Sequence, residues 1–249
     1  MQKEERFDYI LDKLNKKKKV DYKSLSKEIG ISEDTVRRDI EVLYKNGLLS
    51  KVSGGAVIRT NNPLSFQDRS QHYSAAKDII AIKAQQFIKR GQTIFMDGGT
   101  TICAIAARFP IDASFKIITN NMALLSVLAQ HKNIEVTVLG GAYHKGMETN
   151  FGIQTYREVN NYMADLYFMG TCAIDQCEGI TAGVSEEGEI KRAMLHNAMK
   201  TIAISNVEKL NSTFHFRVCD IEQINVLITD LPSNDARLDD FRNLGIELV

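Results

Sequence analysis

Residues 24–57 read SLSKEIGISEDTVRRDIEVLYKNGLLSKVSGGAV. They contain two short helical patterns separated by a glycine, followed by a glycine turn. Asp21, just upstream, is a good N-cap for a helix over Tyr22–Ile29, with Leu25 and Ile29 as its buried pair. Gly30 stops that helix. Ser32 caps a second helix from Glu33 to about Asn46, whose apolar face is Val36, Ile40, Leu43 and Tyr44; Gly47 terminates it. Leu48–Arg59 then reads as a short hairpin turning at Ser53-Gly54-Gly55. Upstream, Phe7, Ile10, Leu11 and Leu14 fall on one face of a first helix. Lys16–Lys19 end it, and Val20 is a short apolar bridge. Helix, helix, tight turn, helix, hairpin is the order of a winged helix-turn-helix, here over residues 1–58.

In that motif the first residues of the second helix meet base edges in the major groove. The helix here begins Ser32-Glu33-Asp34-Thr35-Val36-Arg37-Arg38-Asp39. Arginine bonds guanine O6 and N7 bidentately, so Arg37 and Arg38 are candidate base or phosphate ligands, with the hydroxyls of Ser32 and Thr35 beside them. Lys51 and Arg59 of the wing are placed to follow the DNA backbone. The competing reading pairs Arg37 and Arg38 with Asp34 and Glu41 on an ordinary surface helix. The charge distribution favours DNA: residues 1–60 hold 14 Lys/Arg against 10 Asp/Glu, and the remainder 17 against 21, although the whole chain is neutral.

Residues 60–75 are polar, contain Pro63 and read as a linker within 59–75; a second domain is expected over 76–249. There, apolar strands alternate with helices. Strands are expected at Thr93–Met96, Lys116–Thr119, Ile134–Leu139, Leu166–Gly170, Thr201–Ser205 and Val226–Thr229. Helices are expected at Ala76–Arg90, Thr101–Arg108, Asn121–Gln130, Asn150–Met163 and Glu186–Met199. This is an α/β pattern with a mainly parallel sheet, and ligands of such sheets bind outside the carboxyl ends of the strands. Asp97-Gly98-Gly99-Thr100-Thr101, Thr119-Asn120 and Gly140-Gly141 each follow a predicted strand. Thr100 and Thr101 open a helix, so their hydroxyls and free amides suit a phosphate. Asp97 is a candidate acceptor for sugar hydroxyls, and Lys209 a candidate counter-cation.

The chain has 44% hydrophobic and 25% charged residues, near the globular averages. It shows no signal-peptide pattern and no run of the ~18 apolar residues that a membrane span needs, so a cytoplasmic protein is expected. Cys103, Cys172, Cys177 and Cys219, and the scattered histidines, lack the spacing of a metal site. No cofactor and no metal is expected.

The stretch from Ser24 to Val57 resembles the signature of the DeoR family of bacterial regulators. Ser32, Thr35, Arg37, Arg38, Asp39, Leu43, Gly47, Gly54, Gly55 and Ala56 are in register, while Ser53 replaces the usual His. The resemblance continues through Asp97–Thr101, Ile118-Thr119-Asn120, Leu139-Gly140-Gly141, Phe151-Gly152, Asp165–Gly170, Glu187 with Lys191, and Ile228-Thr229-Asp230. It implies a C-terminal domain similar to ribose-5-phosphate isomerase that binds a phosphorylated sugar or related metabolite. It also implies a repressor of carbohydrate genes, acting on double-stranded operator DNA as a homodimer or homotetramer. Glu187 and Lys191 are then ligand residues, or else an i,i+4 surface pair worth ~0.2–0.5 kcal/mol. Where the family shows D-x-S-K, this chain has Asn206-Val207-Glu208-Lys209, which bears on the ligand. The alternative function is a phosphosugar isomerase-like enzyme with an added N-terminal module.

Overall fold

A computed structural model describes residues 3–17, 19–45, 48–52, 54–57, 66–71 and 74–249. The chain divides into two compact units, Met1–Leu64 and Ser65–Val249.

The first unit contains α1 (Lys3–Lys17), β1 (Lys19–Asp21), α2 (Tyr22–Ile29), α3 (Glu33–Lys45), β2 (Ser50–Val52) and β3 (Gly55–Val57). Ile10, Leu14, Leu25, Val36, Ile40, Leu43 and Leu49 form its core, each at most 2% exposed. Asp21 caps α2 by accepting the Ser24 N–H at 2.8 Å, and Gly30 closes the helix at φ +75. Three details differ from expectation. Val20 belongs to β1, which pairs antiparallel with β3, so the wing is a three-stranded sheet ordered β1-β3-β2. Gly55 permits that pairing, because a Cβ there would lie 2.1 Å from the Val20 carbonyl oxygen. Tyr44 points outward at 47% exposure, and α2 buries Tyr22 with Leu25 while Ile29 stays half-buried. Gly47, Ser53 and Arg59 lie outside the described residues.

The second unit begins with α4 (Phe66–Gln71), a helix inside the segment expected to be linker. Phe66 is buried and its N–H donates to the Gly146 carbonyl at 3.0 Å. Then follow α5 (Ser74–Ala84), β4 (Thr93–Met96), α6 (Thr100–Ala106), β5 (Phe115–Thr119), α7 (Ala123–Leu128) and β6 (Ile134–Val138). Of the helix expected over Asn150–Met163, the middle forms as a short α8 (Ile153–Val159), while Asn150 and Phe151 belong to β8 (Thr149–Phe151), which makes a hairpin with β7 (Ala142–His144). β9 (Leu166–Gly170), β10 (Ala173–Asp175), β11 (Gly179–Ala182), α9 (Ser185–His196), β12 (Thr201–Ile204), β13 (Phe216–Cys219), β14 (Val226–Ile228) and β15 (Glu247–Leu248) complete it.

Seven strands form one parallel sheet ordered β15-β14-β12-β9-β4-β5-β6. It is buried on both faces, as its near-continuous apolar strands require. Ile94, Met96, Phe168 and Ile202 face the core cluster that includes α5, α6 and α7, and Phe95, Tyr167, Met169 and Ala203 face the cluster that includes α8 and α9. A small antiparallel sheet, β10-β11-β13, lies outside it. The chain runs outward from β4 through β5 to β6 and returns with β9 on the other side of β4. That reversal between β4 and β9 is a topological switch point, where open α/β sheets leave a crevice. Among the described residues no helix is long and apolar enough to cross a membrane.

Candidate functional site

In the first unit α3 presents its N-terminal half outward. Ser32 caps it: its Oγ accepts the Thr35 N–H at 3.2 Å and lies 2.9 Å from the Thr35 hydroxyl. Arg37 and Arg38 are exposed, and among the described residues neither meets a carboxylate, so the surface ion-pair reading is not what forms. Arg37 stacks its guanidinium 5.2 Å from the Tyr22 ring. Asp39 points inward, 3% exposed, and takes a two-pronged bond from Arg6, 2.7 Å from Nε and 3.1 Å from a terminal nitrogen. It therefore fixes α3 against α1 and leaves the two arginines before it on the open side. Lys51 is exposed on β2; its ammonium is hydrogen-bonded to Glu41 and lies 5.4 Å from the Tyr44 ring. The Glu41 bond holds its pKa above the ordinary lysine value.

In the second unit the strand-end loops converge at the switch point. Asp97 follows β4 directly and is 1% exposed. Its Oδ2 accepts the Tyr167 hydroxyl at 2.7 Å and the Lys191 ammonium at 2.6 Å, and its Oδ1 accepts the Gly170 N–H at 2.9 Å. Burial raises the Asp97 pKa against the pull of Lys191. Asp97 is thus an internal clamp between β4, β9 and α9, not an open acceptor for sugar hydroxyls. Its counter-cation is Lys191 rather than Lys209. Lys191 is 1% exposed, also donates to the Gly170 carbonyl at 2.7 Å, and lies 3.2 Å from Glu187 Oε1. Glu187 and Lys191 are therefore neither a surface pair nor freely presented to a ligand. Lys191 is held charged, while burial pushes Tyr167 upward.

Around this clamp, Gly98, Gly99, Thr100 and Thr101 are half-buried, and Gly99 adopts φ +136, which an L side chain rarely does. Among the described residues the helix they open has no side-chain cap on its amides. Thr119 ties β5 to β4, donating to the Met96 carbonyl at 2.6 Å and accepting the Asn121 N–H at 2.9 Å. Asn120 donates to the Asn150 carbonyl and Asn121 to that of Asp97; the side-chain oxygens of both, with Thr149 Oγ1, are buried without a partner among the described residues. Gly140 and Gly141 serve the fold instead. The Gly140 N–H donates to Glu158 and its carbonyl accepts from Thr155, and a Cβ on Gly141 would lie 2.1 Å from Thr155 Oγ1.

Lys209 is half-buried, donates to the Thr171 carbonyl at 2.6 Å, and has its pKa lowered by burial. Glu208 is held by Asn206 at 3.2 Å. Two cations that the sequence reading missed lie nearby. Lys77 of α5, 9% exposed, donates to the carbonyls of Arg69 and Ser70 at the end of α4. Its pKa falls to about 8, through burial first and then the charges of Lys209 and Arg69. Arg69 Nε is buried without a partner among the described residues. The signal for Lys77 was legible: it shares a helical face with Ile80, Ala81 and Ala84, where an apolar residue is expected. Among the described residues no three His, Cys, Asp or Glu side chains are arranged to hold a metal.

Comparison with known proteins agrees with this two-part layout. Residues 6–62 match the family model described as the DeoR-like helix-turn-helix domain, and residues 72–231 the DeoR C terminal sensor domain. The chain is 30% identical to the HTH-type transcriptional repressor GlcR of Bacillus subtilis (strain 168), over 100% of this chain and 96% of that one. It is 27% identical to the putative aga operon transcriptional repressor of Escherichia coli O157:H7, over 98% and 93%. Ribose-5-phosphate isomerase A of Methanocaldococcus jannaschii superposes with a TM-score of 0.40 at 15% identity, over 54% of this chain and 53% of that one. These sequence relatives are named as repressors and not as enzymes. Among the described residues, the buried carboxylates nearest the switch point, Asp97 and Glu187, are both held by Lys191 and not poised for proton transfer. The chain belongs to the DeoR family of transcriptional regulators, with a helix-turn-helix for operator DNA and a C-terminal sensor domain for a small-molecule effector.

Proposed function

We propose that this regulator represses carbohydrate genes and that a phosphorylated sugar or related metabolite releases it from its operator. The observation that carries the DNA half is the pair Arg37 and Arg38, exposed at the start of α3 and free of carboxylates among the described residues. Ser32 and Thr35 stand on the same turn. In this reading Arg38 and Thr35 meet base edges, and Arg37 the adjoining phosphates. For the sensor half, support comes from the half-buried Gly98–Thr101 loop beside the switch point and from Lys209 nearby. Thr119, Asn120, Asp97, Glu187 and Lys191 then act by holding that loop in place. Two-fold operators call for a dimeric or tetrameric reader. Effector and operator then alter each other's affinity by the same factor.

Fluorescence anisotropy of the full chain on its own upstream region tests both halves. Binding that selects sequence, weakens with salt and is reversed by one of a panel of sugar phosphates is expected. Binding indifferent to sequence would refute the repressor reading. Release by a neutral sugar, with no phosphorylated one effective, would refute the effector class.

A further inference from the structure

We propose that Tyr22 is a positioning residue for DNA binding: its ring, fixed between α2 and the wing, holds the Arg37 guanidinium ready for a backbone phosphate. The inference rests on the phosphate role given to Arg37 above and names the residue that prepares it.

Arg37 is exposed on α3, and among the described residues it donates no hydrogen bond and meets no carboxylate. A long side chain in that condition samples many rotamers, and fixing it on a ligand costs entropy. One contact limits the sampling here. The guanidinium carbon lies 5.2 Å from the centroid of the Tyr22 ring, inside the ~6 Å reach of a cation–π attraction. Arg38, one residue on, has no such ring among the described residues. The attraction is to the face of the ring and spends no N–H, so all five donors of Arg37 stay available to phosphate oxygens.

A platform is useful only if it is itself held still. Tyr22 follows the N-cap Asp21 at the start of α2 and is 8% exposed, within the core that includes Leu25 and Val36. Its N–H donates to the Gly54 carbonyl at 3.0 Å, between the two outer strands of the wing. One residue thus joins three parts of the reading head: the first turn of α2, the wing and the arginine of α3. The Tyr22 hydroxyl makes no hydrogen bond among the described residues, so it is the ring that the fold employs.

A packing role competes with this one. A buried aromatic supports its unit wherever it stands, and removing it weakens DNA binding by loosening the whole winged helix. The two roles differ in their dependence on Arg37. Lost packing lowers affinity whether or not Arg37 is present; a lost platform lowers it only while Arg37 is there to be held.

Fluorescence anisotropy of the full chain, below its melting temperature, on its own upstream duplex and on an unrelated duplex of equal length reads the effect. R37A is expected to weaken binding to both and to lower the salt slope by about one. Y22L weakens both about two- to tenfold, as freeing a side chain that binding must order entails, and Y22F, which keeps the ring, stays within about twofold of wild type. Added to R37A, Y22L brings no further loss. Y22M takes the place of Y22L where the leucine variant does not fold. The Arg37 Nε–H resonance gives a second reading without a disruptive substitution: the ring shifts it upfield in wild type and in Y22F. Tyr22 loses this role if Y22L costs as much in the R37A background as in wild type, if Y22F costs as much as Y22L, or if the Arg37 resonance of the wild type is unshifted. R37A that binds both duplexes like wild type removes Arg37 from the phosphates and the inference with it. Weak binding by R37A beside normal binding by Y22L leaves Arg37 at the phosphates and removes Tyr22 alone.

Discussion

Replacing Lys191 with Met removes the cation from the centre of the second unit while keeping a side chain of similar length. The ammonium has contacts at 2.6 Å to Asp97, 3.2 Å to Glu187 and 2.7 Å to the Gly170 carbonyl, at 1% exposure. Breaking a buried pair from one side costs about 3–5 kcal/mol, because the partner charge is stranded. Here two carboxylates are stranded, although Asp97 keeps the Tyr167 hydroxyl and the Gly170 N–H. For a unit of this size each kcal/mol moves Tm by about 2–4 °C, so K191M lowers the transition of residues 65–249 by roughly 6–20 °C. The deficit also depends on pH. Burial already raises the Asp97 pKa, and losing Lys191 raises it further. Between the unfolded and folded values the native state binds the extra proton, so stability falls as pH rises through that window. K191M is therefore furthest below wild type at pH 7–8 and recovers toward pH 5. The double variant D97N/K191M, which removes one stranded charge, regains about 1 kcal/mol or more over K191M. Scanning calorimetry of the full chain at pH 5 and 7 measures all three. A loss below about 1 kcal/mol at pH 7, or one that deepens on acidification, refutes the clamp.

Two substitutions probe the first unit. R38A lowers operator affinity by about 1–3 kcal/mol, roughly five- to 150-fold, and relaxes selectivity at one base pair, with thermal stability unchanged; unaltered selectivity would remove Arg38 from base readout. D39N breaks the Arg6 bond and costs about 1.5–3 kcal/mol. It lowers the melting temperature of the winged helix while leaving affinity near wild type at temperatures where the unit stays folded. A D39N protein that loses DNA binding but no stability would place Asp39 at the DNA instead.

Six of the seven strands of the parallel sheet were legible because they are short apolar runs bounded by turn residues, as at Thr93–Met96 and Leu166–Gly170, while the two-residue edge strand Glu247–Leu248 gave no such run. The small antiparallel sheet was not legible either, since Ala173–Asp175, Gly179–Ala182 and Phe216–Cys219 are three or four residues long, and the last of them pairs with Gly179–Ala182 across more than thirty positions. Val20 was read as a bridge because a one-residue apolar signal does not announce a strand; its partner is Ala56, and the need for Gly55 opposite Asp21 shows only once the two backbones are side by side. At the effector site the loops were found from their glycines and threonines, but the roles of their side chains were not. Asp97 looks available in the sequence. Only the fold shows that Tyr167, Gly170 and Lys191, 70 to 94 residues away, have already filled its lone pairs. Lys77 and Lys191 carried a usable sign, a lysine within a buried helical stripe, which periodicity alone assigns to the core.

The separation of Asp97 from Lys191 also sets an order of events during synthesis. The winged helix closes entirely within the first 64 residues, through local contacts, and such units fold quickly. The β4–β9 pairing waits until β9 has been made, and the 94-residue ion pair until α9 has been made. At about 5–20 residues per second, that leaves a span of several seconds or more in which a nascent chain carries a complete DNA-reading unit and no sensor. A chain that ends early, or is cut in residues 58–65, releases the same species: a reader of operator DNA that no metabolite can address.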